Sequence, residues 1–158
     1  MMIRRGIHPS DLAQIEIILA SSGLFHDYEI AIAVEIGKEV LSKGEESGYT
    51  FLFLEEKENT PLGFAVFGPV PCTHKRFDLY WIGVHKMYQR KGYGKKLLKA
   101  CESLIQESEG EIIYIETSSR KDYLPTQEFY LKNGYHLETI IHDFYEDGDG
   151  KYIFSKRI

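Results

Sequence analysis

A chain of 158 residues with 43% hydrophobic and 27% charged side chains fits one domain, residues 1–158, long enough to bury a core. Its net charge of −5 and isoelectric point near 5.7 give no overall bias toward nucleic acid or an anionic membrane. No run approaches the ~18 apolar residues of a membrane span. The start, MMIRRGIHPSD, lacks a signal-peptide core, and the two cysteines sit in unlike settings, Cys72 in a loop and Cys101 on an apolar helix face. A reduced, cytoplasmic protein without a disulfide is the expectation.

Ile3–Ile7 reads as a first strand. His8-Pro9-Ser10-Asp11 starts a helix whose apolar face is Leu12, Ile15, Ile18 and Leu19 and which stops at Ser21-Ser22-Gly23. Residues 27–43 carry two signals: Ile30, Ile32, Val34 and Ile36 alternate like a strand, whereas the length, the alanines and Lys43-Gly44 suit a helix. Tyr49–Glu55 and Leu62–Phe67 are strands around a turn at residues 57–61, Gly68–Thr73 is a loop, and Phe77–Val84 is a further strand. Glu111–Thr117, Tyr135–Tyr145 and Lys151–Arg157 complete the strands. A short helix, Thr126–Lys132, ends at Asn133-Gly134, and the acidic run Glu146–Gly150 reads as a solvated hairpin turn, because calcium-loop spacing cannot be placed on it.

The informative stretch is Tyr80–Ile105. A short apolar run, Trp81-Ile82-Gly83-Val84, leads into Gln89-Arg90-Lys91-Gly92-Tyr93-Gly94-Lys95, and then Leu97, Leu98, Cys101, Leu104 and Ile105 form one helix face. Strand, glycine turn and helix leave the first helical N–H groups unpaired, with the positive end of the helix dipole behind them. That is a site for an anion, and Arg90, Lys91, Lys95 and Lys96 add charge where a polyphosphate would sit. A Walker loop needs four residues between its glycines, but one separates Gly92 from Gly94. The dinucleotide fingerprint needs a third glycine.

What remains, Gln89-x-x-Gly92-x-Gly94 after a Val-ended strand, resembles the acetyl-CoA signature of the GCN5-related N-acetyltransferases (GNAT). Thr126–Tyr135 resembles the family's second motif, Ala-x-x-x-Tyr-x-x-x-Gly-Phe, with Thr126 at the Ala position, Tyr130 at the Tyr position and Tyr135 at the Phe position. The resemblance runs from Ile3 nearly to the end. It implies a helix at residues 27–43 and an α+β fold: a mixed, mostly antiparallel sheet of about seven strands with helices on both faces, the acyl-CoA N-acyltransferase fold. One departure stands out, since Tyr123 occupies the position where the family often carries an Asn that contacts the pantetheine arm.

The function implied is transfer of an acetyl group from acetyl-CoA to a primary amine by direct attack on the thioester. Cofactor contacts fall to Ile82, Gly83 and Val84 along the strand, to Gln89, Arg90, Lys91, Gly92, Tyr93, Gly94 and Lys95 at the pyrophosphate, and to Tyr123 or a substitute. A backbone N–H of the strand could polarise the thioester carbonyl. Tyr130 is the expected acid for the departing thiolate, because a phenol with a reference pKa near 10 keeps its proton at neutral pH. Glu116, ending its strand, is the candidate base, partial burial raising its pKa toward the working range. A strand-end salt bridge explains Glu116 equally well. The six histidines show no metal spacing, so no metal is expected. The acceptor, a small-molecule or peptide amine, is not chosen by any residue. The acids at 146, 147 and 149 lean toward a cationic one. Family habit allows a homodimer. The alternative function is a non-catalytic CoA-binding or sensing module, for which a hydroxyl at Tyr130 is unnecessary. Nucleic-acid binding through Arg90-Lys91 and Lys95-Lys96 conflicts with the acidic net charge.

Overall fold

The computed structural model describes residues 1–158. Its strands are β1 (Met2–Arg5), β2 (Thr50–Lys57), β3 (Thr60–Pro69), β4 (Arg76–Val84), β5 (Ile112–Ser118), β6 (His136–Glu146) and β7 (Asp149–Arg157). The helices are α1 (Asp11–Ser22), α2 (Asp27–Lys43), α3 (Tyr93–Glu107) and α4 (Leu124–Lys132). One seven-stranded sheet runs β1-β2-β3-β4-β5-β7-β6, antiparallel throughout except for the parallel pair β4 and β5. The expected α+β class and strand number are borne out.

Period-two alternation sorts the sheet's side chains into two cores. Leu52, Leu54, Ala65 and Phe67 face α3, meeting Leu97, Leu98, Cys101 and Ile105, with Tyr130 of α4 in the same cluster. Phe51, Phe53, Phe64 and Val66 face α1 and α2, meeting Ile15, Ile18, Leu19, Ile30 and Ala33. Residues 27–43 are helical because Ile30, Ala33 and Gly37 lie on one buried stripe. Strand alternation would have buried Ile32, which is 53% exposed. His26 and Glu29 close a capping box at the start of that helix. Arg4 bridges β1, β2 and α1 by pairing with Glu55 at 2.8 Å and Asp11 at 2.9 Å, so both buried carboxylates have a cation.

Two details of β4 position the site. Val66 pairs with Trp81 but Phe67 pairs with Leu79, so Tyr80 is the extra residue of a bulge. The bulge puts Leu79 in the α3-side core while Trp81 packs on the α1-side core. Pairing of β4 with β5 stops at Leu79 and Ile115, next to that bulge. Beyond it the two parallel strands diverge, and a gap opens between their C-terminal ends. α1 packs over this part of β4, where a Cβ on Gly83 would meet Leu19 at 3.4 Å and Ile18 at 3.5 Å, ordinary contact distances.

Candidate active site

The turn after β4 is made by backbone conformation. Arg90 (φ 61°) and Gly92 (φ 81°) both occupy the left-handed region, and Gly92 caps α3. Gln89 braces the turn by donating its Nε2 to the Val84 carbonyl at 3.0 Å. The first amide of this segment to find an acceptor is Lys96, which donates to Gly92 at 3.1 Å; those of residues 90–95 donate to nothing in the protein. A run of free N–H groups at the start of a 15-residue helix, with four basic side chains around it, fits a pyrophosphate. Gly94 has an ordinary φ, and a Cβ there would lie 3.5 Å from the Phe129 ring, so the fold tolerates a side chain that a bound anion would not.

From Val84 and Gln89 a cavity of about 560 Å³ runs back along the β4–β5 gap. Ile82, Gly83, Val84, Gln89, Glu116, Tyr123 and Tyr130, all anticipated from the sequence, line it. The chain from Arg90 to Lys95 forms the basic turn outside its end. Where β4 and β5 have separated, the facing strand edges can receive an extended, amide-bearing molecule as an added strand.

Tyr130 is 5% exposed and packs against Tyr135 and Phe154, with ring centroids 5.8 Å away in each case. The side chain lines the cavity, and its hydroxyl is hydrogen-bonded to no protein group. Burial, and then the neighbouring Cys101, hold this phenol well above its ordinary pKa, so it stays protonated. Tyr123 is buried too, and its hydroxyl donates to the Leu24 carbonyl at 3.3 Å. Arg120 donates to the same carbonyl at 3.2 Å, so the segment after β5 is tied to the α1–α2 connection.

The partial burial expected for Glu116 is not found. Its side chain is 52% exposed and pairs with Lys151 at 3.0 Å. A half-buried carboxyl of the cavity is Asp78 on β4, which the sequence reading passed over. Its pKa is pushed up to about 6, first by burial and then by the charge of Glu116, with Lys151 and Tyr80 pulling the other way. The only signal in sequence was an acid inside an otherwise apolar strand, RFDLYWIGV, after the initial arginine. The acidic hairpin is also less solvated than expected. Asp149 is 7% exposed, hydrogen-bonded by the Ser118 hydroxyl and facing Arg120 Nε at 3.6 Å.

Comparison with known proteins bears on the same residues. The model of the acetyltransferase (GNAT) family matches residues 21–135. A protein assigned to that family in Desulfovibrio desulfuricans has a solved structure that is 33% identical, with a TM-score of 0.96 over 99% of this chain and 98% of that one. The PaiA N-acetyltransferase of Thermoplasma acidophilum, solved with coenzyme A, is 20% identical with a TM-score of 0.74, all of each chain being covered. An aminoglycoside 6′-N-acetyltransferase complexed with coenzyme A is 16% identical with a TM-score of 0.76 over 99% of this chain and 97% of that one. The last two likenesses show the fold alone. No curated protein matches the sequence. No helix of the structure is long and apolar enough to cross a membrane.

Proposed function

The chain belongs to the GNAT acetyltransferase family, whose acyl donor is acetyl-CoA, and from that premise we propose that it acetylates a primary amine by direct attack on the thioester. Acetyl-CoA supplies the activated acyl carbon and the thiolate leaving group. The chain's residues do the rest. Free amides of residues 90–95 hold the pyrophosphate, with Arg90, Lys91 and Lys95 adding charge. Backbone of Ile82, Gly83 and Val84 pairs with the arm lying in the gap, and a strand N–H there polarises the carbonyl. Tyr123 offers its ring to the wall where relatives carry Asn.

An amine is protonated near neutral pH and cannot attack until it loses a proton. Asp78, with Glu116 beside it, takes that proton. Glu116 acts on Asp78 by charge, and the raised pKa makes Asp78 a base strong enough to work near neutrality. The C–N bond forms and the C–S bond breaks, and the nitrogen sheds its second proton to solvent, as Asp78 afterwards does with the first. Tyr130 then gives its proton to the thiolate and recovers one from solvent.

The observation that carries this reading is the unpartnered Tyr130 hydroxyl in the diverging β4–β5 gap. It also favours transfer over a CoA-binding module, since binding alone gives no reason to keep beside the gap a phenol that stays protonated and is bonded to no protein group. The test is CoA titration together with CoA release from acetyl-CoA over a panel of amines. Tight CoA binding with no release from any amine would leave the binding module as the answer.

A further inference from the structure

Charge around the cavity is sorted by end. The donor end, residues 89–96, reads QRKGYGKK and carries no acid. At the other end the lining holds Glu29, Asp78, Glu116, Glu146 and Asp149, with Arg120 as its one lysine or arginine. Three of the five acids are engaged: Asp149 by Ser118 and Arg120, Glu116 by Lys151, and Glu29 by the His26 amide at 3.1 Å. Asp78 and Glu146 form no ion pair. Between the acids the wall is apolar and aromatic. Tyr28 and Ile32, one turn apart on α2, are 66% and 53% exposed, and Tyr145, 48% exposed, belongs to the β6–β7 side. Tyr80 and Trp81 complete this wall from β4.

The cavity also holds polar groups that nothing in the protein satisfies. Thr117, 6% exposed, lines it with an Oγ1 that is buried and unpaired, and Tyr130, 5% exposed, lines it with a hydroxyl bonded to no protein group. These are groups for a bound molecule to meet. The phenols of Tyr80 and Tyr145 are both pushed up to about 12, by burial first and then by carboxylates: Asp78 and Glu116 in one case, Glu116, Asp149 and Glu29 in the other. Carboxylates thus lie close to both phenols.

We infer that the acceptor is a flexible alkyl amine with a second ammonium group, an α,ω-diamine or longer polyamine, whose methylenes lie on the aromatic wall and whose distal cation sits at Glu29 and Glu146. The inference rests on the transfer reading above. Methylenes gain by covering aromatic and aliphatic surface, and a cation gains both from ring faces and from the unpaired carboxylates. An acceptor with a carboxylate in place of the distal ammonium would meet like charge in a confined, partly desolvated space.

The experiment compares 1,4-diaminobutane, butylamine and 4-aminobutanoate, with their longer homologues, as acceptors under saturating acetyl-CoA. The three share a carbon chain and differ in the distal group: cationic, apolar or anionic. The diamine is expected to exceed the monoamine in kcat/KM by about tenfold, the amino acid to be poorest, and added salt to narrow the gap. The double variant Glu29→Gln/Glu146→Gln should cut the diamine's advantage while leaving butylamine's rate unchanged. An amino acid used as well as the diamine, or an advantage that survives in the double variant, overturns the inference. Tight CoA binding with no turnover of any amine instead overturns the transfer reading itself.

Discussion

The two ends of the cavity are made of different material. The proposed donor end is one continuous stretch, Gln89–Lys95, whose free groups are backbone amides presented by two left-handed residues and a helix start. The acceptor end is assembled from side chains of α2, β4, β5 and the β6–β7 hairpin, which are far apart in sequence. Amides at a helix start bind a group that many substrates share, whatever the neighbouring side chains are. Side chains gathered from four segments can be exchanged one at a time, so that end is where we propose that selectivity resides. Tyr130 stands between the two, and substitutions should separate the three places cleanly.

The largest effect is expected at the junction. Tyr130→Phe keeps the ring in its aromatic packing and removes only the hydroxyl. It should lower kcat by ~10²–10⁴-fold, with CoA affinity nearly unchanged in calorimetry. A wild-type kcat, where chemistry limits turnover, would take Tyr130 out of the mechanism.

At the acceptor end, Asp78→Asn should lower kcat/KM by about 10²-fold at neutral pH and abolish the acid limb of the pH–rate profile. Glu116→Gln should only shift that limb to lower pH, because it removes a charge that raises the Asp78 pKa. If instead Glu116→Gln erases the limb and Asp78→Asn leaves it, the two roles are reversed. CoA affinity should be untouched in both variants.

Gly94→Val is the converse. Its methyls would occupy space where a phosphate oxygen meets the amides, and about 10–100-fold in CoA affinity should go, one or two charge-assisted hydrogen bonds' worth. The preference among acceptors should stay as it was. Undiminished CoA binding by the folded variant would move the pyrophosphate away from this turn.

The smallest effect is on stability. A carboxyl whose pKa is raised from 3.8 to about 6 on folding binds more protons in the native than in the unfolded protein between those values. The contribution of Asp78 to stability therefore falls as pH rises through that window. Asp78→Asn should escape the loss, being more stable than wild type above about pH 6 and gaining nothing near pH 3 to 4. Melting curves across that range suffice, and parallel curves for the two proteins would contradict the shift.

The same contrast explains what the sequence could disclose. Gln89, Gly92 and Gly94 announce the donor end because a backbone site demands particular residues at fixed spacing. Most strands and helical faces were readable from period, but residues 27–43 carried two signals that only the family resemblance decided, and the buried stripe at Ile30, Ala33 and Gly37 gives the physical reason. Asp78 was silent, since its significance comes from the bulge at Tyr80, the end of β4–β5 pairing and the approach of Glu116, none of which leaves a local pattern. Asp149 misled for the opposite reason. A turn-like run of acids and glycines suggests exposure, yet Ser118 and Arg120, both distant in sequence, draw its carboxylate inside.

The short parallel pairing of β4 with β5 has a consequence for cooperativity. Only four registered pairs, Arg76–Leu79 with Ile112–Ile115, join β1–β4 to β5–β7 through the sheet, against seven between β5 and β7. A further link is polar, Lys156 of β7 reaching Glu102 of α3 at 2.8 Å, with the Tyr135 hydroxyl donating to the same carboxylate at 3.3 Å. The two halves share the α3-side core but meet in the sheet along a partly unzipped seam, and such a stretch opens at lower free energy than the fully paired strands beside it. A molecule pairing with both edges would close the seam. Amide exchange in the C-terminal half of β5 should then slow on CoA binding far more than exchange in β2 or β3, making the donor a mechanical fastener of the fold as well as a reactant.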